Sequence, residues 1–233
     1  MILNLIDNEL STSKLNSGLA IGKQFEMVAN ALLNGYVLVT SGVEWRLFEI
    51  EFYYHSLIHQ DPYVHCHPQQ LSKGRWYFHK TSSYFKSGFF RGVDLTFGDE
   101  IANIHGGILI RGIVNPDAIQ EYLYGPAKCV NYFNKNLNIG IEAVDDKIAT
   151  DEECPQFFLR EKKLREELVI NGPRVGLKLR TGDDNEEFFR YSDYRYMIHL
   201  QLPHKGKKAL IIPSLLKSGW TVDNIKRTFG VKI

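Results

Sequence analysis

The chain has 233 residues, of which 44% are hydrophobic and 24% are charged, and its formal net charge is +1. A chain of this length buries a full core and does not force a division into two domains. Its ordinary globular composition excludes disorder as the main state. The near balance of 28 Lys+Arg with 27 Asp+Glu argues against a protein that coats nucleic acid, because phosphate contacts favour a basic excess.

The cysteines and the first residues bear on the compartment. Cys66, Cys129 and Cys154 are an odd number without CxxC spacing, which argues against a disulfide framework and for a reducing compartment. The start, MILNLIDNELSTSKL, lacks the basic and apolar regions of a signal peptide. No apolar run approaches the roughly 20 residues that span a bilayer. We therefore expect a cytoplasmic protein without a membrane partner.

The first half of the chain is predicted to be rich in strands. Turn signals at residues 7–8 and 11–13 predict an irregular N-terminal arm, and helical spacing predicts a helix over Lys23–Leu33. Runs of β-branched and aromatic residues predict the following strands: Tyr36–Thr40, Trp45–Tyr54, Arg75–Lys80, Phe89–Phe97 and Gly107–Val114. The polar, histidine-rich stretch His55–Lys73 is predicted to be a long loop, and such loops are usually functional or disordered.

The second half is predicted to mix helices and strands. Helices are expected over Pro116–Tyr122, Ala127–Asn134, Glu161–Leu168 and Thr221–Phe229. Strands are expected over Arg174–Leu179 and Phe188–Leu200, with the acidic cluster Asp183–Glu187 as a solvated turn. Strands interleaved irregularly with short helices, without a βαβ rhythm, predict an α+β fold with a mixed, largely antiparallel sheet flanked by helices.

Two carboxylates and a phenol are predicted to share one strand face. Glu49, Glu51 and Tyr53 alternate along the second strand, so their side chains point the same way. In a polar cleft, a partly desolvated carboxylate can act as a base on water. The alternative is an exposed face with two solvated glutamates. Arg111 ends the apolar run Ile108–Ile110, and an arginine there is expected to pair with Glu49, Glu51 or Asp94.

Six of the eight histidines lie between residues 55 and 105, and they invite a metal hypothesis. His65-Cys66-His67 and the His55/His59 spacing resemble zinc-ligand spacings, but no HExxH pattern is present and the segment is predicted to be a loop. We therefore expect no metal site, with the histidines lining a polar pocket or lying at the surface. No GxxxxGK[ST] loop, strand-linked GxGxxG or Ser or Cys nucleophile signature is present, and no cofactor is expected.

The order of several short motifs resembles the alkyladenine (3-methyladenine) DNA glycosylase family. That family has an R-I-x-E-T-E-A-Y strand, a D-x-x-x-H segment, an L-I-R-A strand, a G-P-x-K-L helix start and an R-V-G-[IV] strand. After a helix that ends in Ala-Leu-Leu at residues 31–33, the corresponding segments here are Arg46–Tyr53, Asp61–His65, Gly107–Arg111, Gly125–Lys128, Gly172–Gly176 and Phe189–Tyr191. The resemblance runs from about Gln24 to Met197, so we expect a glycosylase-like domain over residues 1–197 and a C-terminal extension, 198–233, packed on it.

The resemblance implies roles for two catalytic residues. Glu51 matches the family's general base, which deprotonates the water that attacks the sugar carbon. Arg111 matches an arginine near that water. An alkylated purine is already a good leaving group, so the enzyme needs an aromatic slot, a poised carboxylate and an extruded nucleotide.

The resemblance also implies a base pocket. Tyr53 and His65 match residues that contact the flipped base, His79 falls where the family has a second stacking tyrosine, and Asp94 falls where it has an asparagine. Leu109 is grouped with these base-pocket residues. The family also inserts a hairpin tyrosine into the gap left by the flipped base, and Tyr84 is the candidate here.

The implied function is hydrolysis of the N-glycosidic bond of a damaged, alkylated or deaminated purine, in base excision repair, with double-stranded DNA as the partner. Two alternatives stay open at this point. One is a hydrolase of free nucleosides or nucleotides on the same scaffold, and the other is a non-catalytic protein that binds a nucleobase or another ligand.

Overall fold

One 14-residue strand, β2, organises the β-sheet of this protein. The computed structural model describes residues 2–11 and 13–230. In that part of the chain the strands are β1 Tyr36–Thr40, β2 Val43–Ser56, β3 His59–Gln60, β4 Lys73–Phe78, β5 Lys80–Thr81, β6 Tyr84–Phe85, β7 Val93–Phe97, β8 His105–Asn115, β9 Ala118–Tyr124, β10 Phe157–Glu161, β11 Ile170–Gly172 and β12 Arg195–Met197.

The main sheet has the strand order β10-β1-β2-β8-β7-β4, and neighbouring strands are antiparallel. Strand β2 pairs with β1 along its first residues and then with β12, while β8 lies along its other edge. Strands β9, β11 and β3 extend the sheet at β8, β12 and β2, and β5 with β6 forms a separate hairpin. The α+β fold with a largely antiparallel sheet is therefore confirmed.

Helices cover the core face of the sheet. They are α1 Ile2–Glu9, α2 Gly18–Gly35, α3 Pro126–Asn136, α4 Gly140–Val144, α5 Asp184–Tyr191, α6 Ile212–Lys217 and α7 Val222–Phe229. The Ser17 side chain accepts the Ala20 N–H and so caps α2. In the core, Phe25 of α2 stacks on Phe52 of β2 with 4.4 Å between ring centroids. This packing places Phe52, and with it Ile50 and Tyr54, in the core and leaves the odd-numbered Glu49, Glu51 and Tyr53 for the opposite face. Before the register shift near Phe48, the core residues of the strand are Trp45 and Leu47. No helix among the described residues combines the length and apolarity that crossing a membrane requires.

Two of the predicted helices are wrong. The segment predicted as helix 116–122 forms strand β9, because the chain reverses at Asn115, whose Oδ1 accepts the Asp117 N–H, and then pairs with β8. The segment predicted as helix 161–168 has no regular secondary structure beyond the end of β10 at Glu161. There the Asn34 amide holds both the N–H and the carbonyl of Glu167, so a tertiary contact overrides the helical composition.

The N-terminal arm and the two predicted late strands also differ from expectation. Residues 2–9 form α1, because Ile2 and Ile6 are one helical turn apart and both are buried. Residues 174–179 form no regular strand, since the N–H of Val175 donates to the Glu51 carboxylate. The segment 188–200 divides into the end of α5 and the short β12. The acidic cluster before it starts that helix: Asp183 is the N-cap, and Glu186 is buried and accepts three backbone N–H groups.

The segment after β12 has a small core of its own. Two strand residues, Ile170 of β11 and Met197 of β12, belong to this core. Its other buried residues come from the segment itself: Leu200, Ile211, Ile212, Leu215, Ile225 and Phe229. Helix α7 follows the prediction closely, with Thr221 as its N-cap and Gly230 in the left-handed conformation at its end. Met1, Thr12 and residues 231–233 lie outside the described residues, so part of the predicted arm and of the extension does too.

Candidate functional site

Both glutamates on the odd face of β2 are removed from solvent. Glu49 and Glu51 are each 0% exposed, so the alternative of a solvated strand face is wrong. Across the sheet Glu51 pairs with Leu109 of β8 on one side and with Arg195 of β12 on the other. A buried carboxylate needs cations or N–H donors around it, and both glutamates have them.

Arg111 reaches the two glutamates from an irregularity in β8. The pairing register shifts there, so that Glu49 pairs with Gly112 and Ile50 with Ile110, leaving Arg111 without a partner across the ladder. Such bulges re-aim side chains. The Nε of Arg111 donates to Glu49 (2.9 Å) and its Nη1 to Glu51 (3.3 Å). Glu49, Glu51 and Asp94 were the expected partners of this arginine, and it binds Glu49 and Glu51.

The electrostatics of Arg111 favour its charge. Burial opposes the charge, but the carboxylates of Glu51 and Glu49 outweigh it and raise the pKa of Arg111. Its Nη2 has no hydrogen-bond partner within the described part of the chain. One nitrogen of a permanently charged group is thus free to bind another molecule.

Three donors surround the Glu51 carboxylate. Its Oε1 accepts the Val175 N–H (2.9 Å), and its Oε2 accepts the Tyr53 hydroxyl (2.9 Å) as well as Arg111. Burial and the adjacent carboxylate raise the pKa of Tyr53 well above 10, so the phenol stays protonated and donates. A carboxylate offers about four lone-pair positions, and three are used here, which leaves one for a further donor such as water.

Glu49 is the counterion of a second buried group that the sequence did not predict. Its Oε1 accepts from Arg195 Nε (3.0 Å), and its Oε2 lies 2.5 Å from His204 Nδ1. Burial opposes the charge of Glu49, but Arg195, His204 and Arg111 outweigh it and lower its pKa to about 2. Glu49 is therefore charged, and it anchors Arg111 rather than facing solvent.

Arg174 joins this site to the segment that begins at Asp61. Its Nη1 donates to Asp61 Oδ2 (2.6 Å), and its guanidinium carbon lies 4.6 Å from the ring centroid of Tyr53. Asp61 also accepts the Tyr63 N–H (3.0 Å). The sequence analysis included Arg174 only as part of the motif segment 172–176, and nothing in the sequence predicted its pairing with Asp61. The contact fixes the Tyr53 ring beside the predicted base pocket.

Four of the predicted base-pocket residues line one small cavity. Tyr53, His65, His79 and Asp94 surround it together with Tyr63 and Gln70, which the sequence did not single out. Its volume is about 20 Å³, enough for about one water molecule. Leu109 pairs with Asp94 and is 5% exposed, but it is not part of the cavity wall. We call this cavity the slot. A base enters it only after its walls move apart.

His65 forms the outer wall of the slot. It is exposed on one side, its Nδ1 is 3.4 Å from the Tyr77 hydroxyl, and its Nε2 is 3.1 Å from Lys86 Nζ. The crowding by protein atoms and the neighbouring His79 lower the pKa of His65 to about 4. A neutral imidazole can therefore accept from the Lys86 ammonium. These contacts connect His65 to the hairpin β5–β6 and the loop after it.

A groove of about 770 Å³ opens on the other side of Arg111. Its wall includes Arg111, Lys128, Lys205, Val175 and the ring of Phe90, and no carboxylate occurs among its described lining residues. Phe90 is 77% exposed. Arg111 and Val175 are also hydrogen-bond partners of Glu51, so these two residues separate the groove from that buried carboxylate. The chain is near neutral overall, yet this rim is basic.

The remaining histidines do not converge. His59 is buried between the Tyr54 carbonyl and the Tyr194 hydroxyl, and His67 caps the 3-10 turn Pro68–Leu71. Among the described residues, no group of three His, Cys, Asp or Glu side chains is arranged to hold a metal ion. Tyr84, the predicted intercalating residue, lies on the β5–β6 hairpin and is 79% exposed.

Fold and site together define an α+β protein in which a buried carboxylate–guanidinium pair separates a histidine-lined slot from a basic groove. No protein-family model matches the chain. Uncharacterized protein L759 of Acanthamoeba polyphaga mimivirus is 33% identical over 204 residues, which cover 80% of this chain and 91% of the viral protein. The chain therefore belongs to the same family as that viral protein.

Proposed function

We propose that the protein is a DNA glycosylase-like hydrolase that cleaves the N-glycosidic bond of a damaged purine. The observation that carries the proposal is the position of Glu51: it is fully buried, bonded to Arg111 and Tyr53, and located between the slot and the groove. The fold would then be that of the alkyladenine DNA glycosylases, which the motifs around Glu51 resemble. Base binding would use the slot on the Tyr53 side of Glu51, and water activation would use the groove on its Arg111 side.

In this proposal the attacking water lies at the inner end of the groove. Arg111 Nη2 binds the water, and the unused lone pair of Glu51 accepts its proton. The base occupies the slot against Tyr53 after His65 and Lys86 move outward, because the slot holds about one water as it stands. His65 is on the exposed side and Lys86 is its partner. When the two move together, the opening breaks the 3.4 Å contact between His65 Nδ1 and the Tyr77 hydroxyl and leaves the hydrogen bonds of Glu51 intact.

Duplex DNA is the proposed partner, and two features support it. Arg111, Lys128 and Lys205 give the groove a positive rim, which attracts a phosphate backbone. Phe90 in the groove wall and Tyr84 on the β5–β6 hairpin are large exposed aromatic side chains, and such side chains fill the space that a flipped nucleotide leaves. A cytoplasmic setting is part of the same proposal, since all three cysteines are free thiols.

The test is base release from duplexes that contain hypoxanthine or ethenoadenine, measured as abasic sites. We expect wild-type protein to produce them and Glu51→Gln to lose the activity. Glu44→Gln is the matched control, because Glu44 lies at the start of the same strand and pairs with Lys162 and Arg160, outside the network of Glu51. Release of bases from free nucleosides without activity on duplexes would contradict the proposal, and so would the absence of turnover on both.

Salt dependence gives a second, independent measurement. Each phosphate contact contributes about −0.9 to the slope of log affinity against log salt concentration. The double variant Lys128→Gln/Lys205→Gln is therefore expected to reduce the magnitude of that slope by about 2. An unchanged slope would mean that the groove does not bind the backbone.

A further inference from the structure

We propose that the C-terminal extension is a second contact surface for the phosphate backbone of duplex DNA, continuous with the groove that Lys205 lines. This inference rests on the proposed function for its choice of duplex DNA as the partner. The described part of the extension is residues 198–230. It follows the last of the motifs that resemble the glycosylases, so the resemblance implies nothing about its role.

The extension differs from the rest of the chain in charge. Residues 198–233 contain seven Lys or Arg and one acidic residue, Asp223, which gives a formal net charge of +6. The whole chain has a net charge of +1, so residues 1–197 carry −5. The near neutrality of the protein therefore results from an acidic body joined to a basic segment. Such asymmetry is a sequence sign of interaction with nucleic acid or a membrane surface.

The basic side chains of the extension lack acidic partners. Those that are exposed are Lys205, Lys208, Lys217, Lys226 and Arg227. Within the described part of the chain, none of these five forms an ion pair with a carboxylate. Several lysines of the body do form such pairs, among them Lys14, Lys73, Lys80 and Lys162. The extension therefore presents positive charge that the described fold does not neutralise.

Helix dipoles account for only part of this pattern. Basic residues are favourable in the last turn of a helix, and Lys208, Lys217, Lys226 and Arg227 lie in the last turns of the π-helix at residues 207–211, of α6 and of α7. The same effect favours acidic residues in first turns, yet Asp223 is the one acidic residue in the first turns of these three helices. Dipole compensation would use both signs of charge, so it leaves the positive excess unexplained.

Direct contacts connect the basic part of the extension to the groove. Lys205 is in the groove wall, and its N–H donates to the hydroxyl of Tyr124, another wall residue. Lys207 follows two residues later, and its Nζ lies 5.5 Å from the ring centroid of Phe229, at the end of α7. The last turn of α7, with its two basic residues, is therefore joined to the rim of the groove. In the proposed complex, the phosphates that Lys205 contacts continue towards this turn.

The burial of the apolar residues favours nucleic acid over a membrane as the partner. A helix that lies on a bilayer inserts its apolar face between the lipids. In α7 the apolar residues Ile225 and Phe229 are 0% and 2% exposed, because they belong to the small core of the extension. The basic side chains are thus available to phosphate groups, whereas the apolar face of the helix is not available to lipid tails.

The experiment removes three exposed charges of the extension and compares the result with an equal change elsewhere. The extension variant is Lys208→Gln/Lys226→Gln/Arg227→Gln. The control variant, Lys23→Gln/Lys147→Gln/Lys163→Gln, removes three exposed lysines of the body that also form no ion pair among the described residues. Both variants lower the net charge by the same amount, so a difference between them reports the location of the charges.

Binding to an undamaged duplex is measured over a series of salt concentrations. Each phosphate contact contributes about −0.9 to the slope of log affinity against log salt concentration, so the extension variant should reduce the magnitude of that slope by about 2–3. The control variant should keep the wild-type slope. Equal slopes for the two variants would overturn the extension as a contact surface and leave the proposed function standing. Binding of wild-type protein to phosphatidylserine vesicles but not to duplex, lost in the extension variant, would overturn the choice of DNA.

Base release separates this inference from the proposed function. The substituted residues line neither the slot nor the groove. At saturating protein concentration, the extension variant should therefore release hypoxanthine in a single turnover at the wild-type rate. A reduced slope for the extension variant, together with wild-type protein that releases no base, would overturn the proposed function and support the contact surface. Matching thermal midpoints of the variants confirm that they are folded.

Discussion

Neutralising the buried carboxylate of Glu49 is the most direct perturbation of the network that holds Arg111. Glu49 is 0% exposed and contacts Arg111, Arg195 and His204. The two guanidiniums are balanced by Glu49 and Glu51. Glu49→Gln keeps the size of the side chain and removes its charge, so one carboxylate is left facing two buried cations. We predict a large loss of stability for a substitution of nearly equal volume.

The size of the loss follows from the pKa of Glu49. The ordinary value of 4.5 falls to about 2 in the folded protein, and each pKa unit corresponds to about 1.4 kcal/mol, so the charged form stabilises folding by roughly 3 kcal/mol at neutral pH. Removing one partner of a buried ion pair costs about 3–5 kcal/mol in other proteins. The two routes agree, and the group is fully buried, so solvent screening does not reduce the figure.

Urea unfolding at several pH values measures this effect. The folded pKa is lowered, so the contribution is complete above pH 4.5 and disappears as the pH falls towards 2. The difference between wild type and Glu49→Gln should therefore be roughly 3 kcal/mol at pH 7 and shrink steadily below pH 4.5. Glu44→Gln is the control, because its pair with Lys162 and Arg160 is partly exposed and worth about 1 kcal/mol or less. Equal losses for both variants, or a difference that does not change with pH, would refute the reasoning.

Three further predictions concern packing, capping and thiol accessibility. Gly107→Ala places a Cβ 2.6 Å from Asp94 Oδ2, so we expect it to lower the free energy of unfolding in urea by about 1–3 kcal/mol. Gly22→Ala on α2, where a Cβ meets open space, is the control and should stabilise the protein by roughly 0.5–1 kcal/mol. A stabilising Gly107→Ala would contradict the close packing around Asp94. Thr221→Ala removes the N-cap of α7 and should lower the stability of that helix by about 0.5–2 kcal/mol. The loss should appear as faster amide hydrogen exchange in α7, and unchanged exchange would mean that the cap is not formed in solution. Cys66 is exposed and the other two cysteines are buried, so a thiol reagent should modify one cysteine in native protein and three after denaturation; three in native protein would indicate an open core.

Much of the local structure could be predicted because its causes lie within a few residues. The strand β1 has its predicted bounds, Tyr36–Thr40, since a β-branched run directly follows a helix that stops at Gly35. The C-terminal helix has the expected cap and terminal glycine. The failures have the opposite cause. The charged segment after Glu161 is not helical because Asn34, 133 residues before Glu167 in the sequence, binds its backbone.

The residues of the site also fall into a group that local sequence predicted and a group that it did not. Alternation along one strand was enough to predict that Glu49, Glu51 and Tyr53 share a face. The two carboxylates are buried by contacts with Val175, Arg195 and His204, which lie far away in the sequence. Arg111 was expected to pair with Glu49, Glu51 or Asp94, and it binds the two glutamates. By contrast, Arg195 and His204 reach Glu49 from about 150 residues away. Nothing in their neighbourhoods marks them, because both segments are irregular or short.

The sequence by itself determined the α+β class and the strand that carries the two glutamates, because side-chain alternation and turn chemistry act over a few residues. The residues expected around the slot were implied by the resemblance of the motifs to the glycosylase family. Only the tertiary structure decided that both carboxylates are buried, that Asp94 binds His79 rather than Arg111, and that the slot is nearly closed. Those outcomes depend on strand register, a bulge in β8 and contacts between distant segments. Charge pairing in a buried site is settled by which groups the fold brings within hydrogen-bond distance, and sequence spacing does not contain that information.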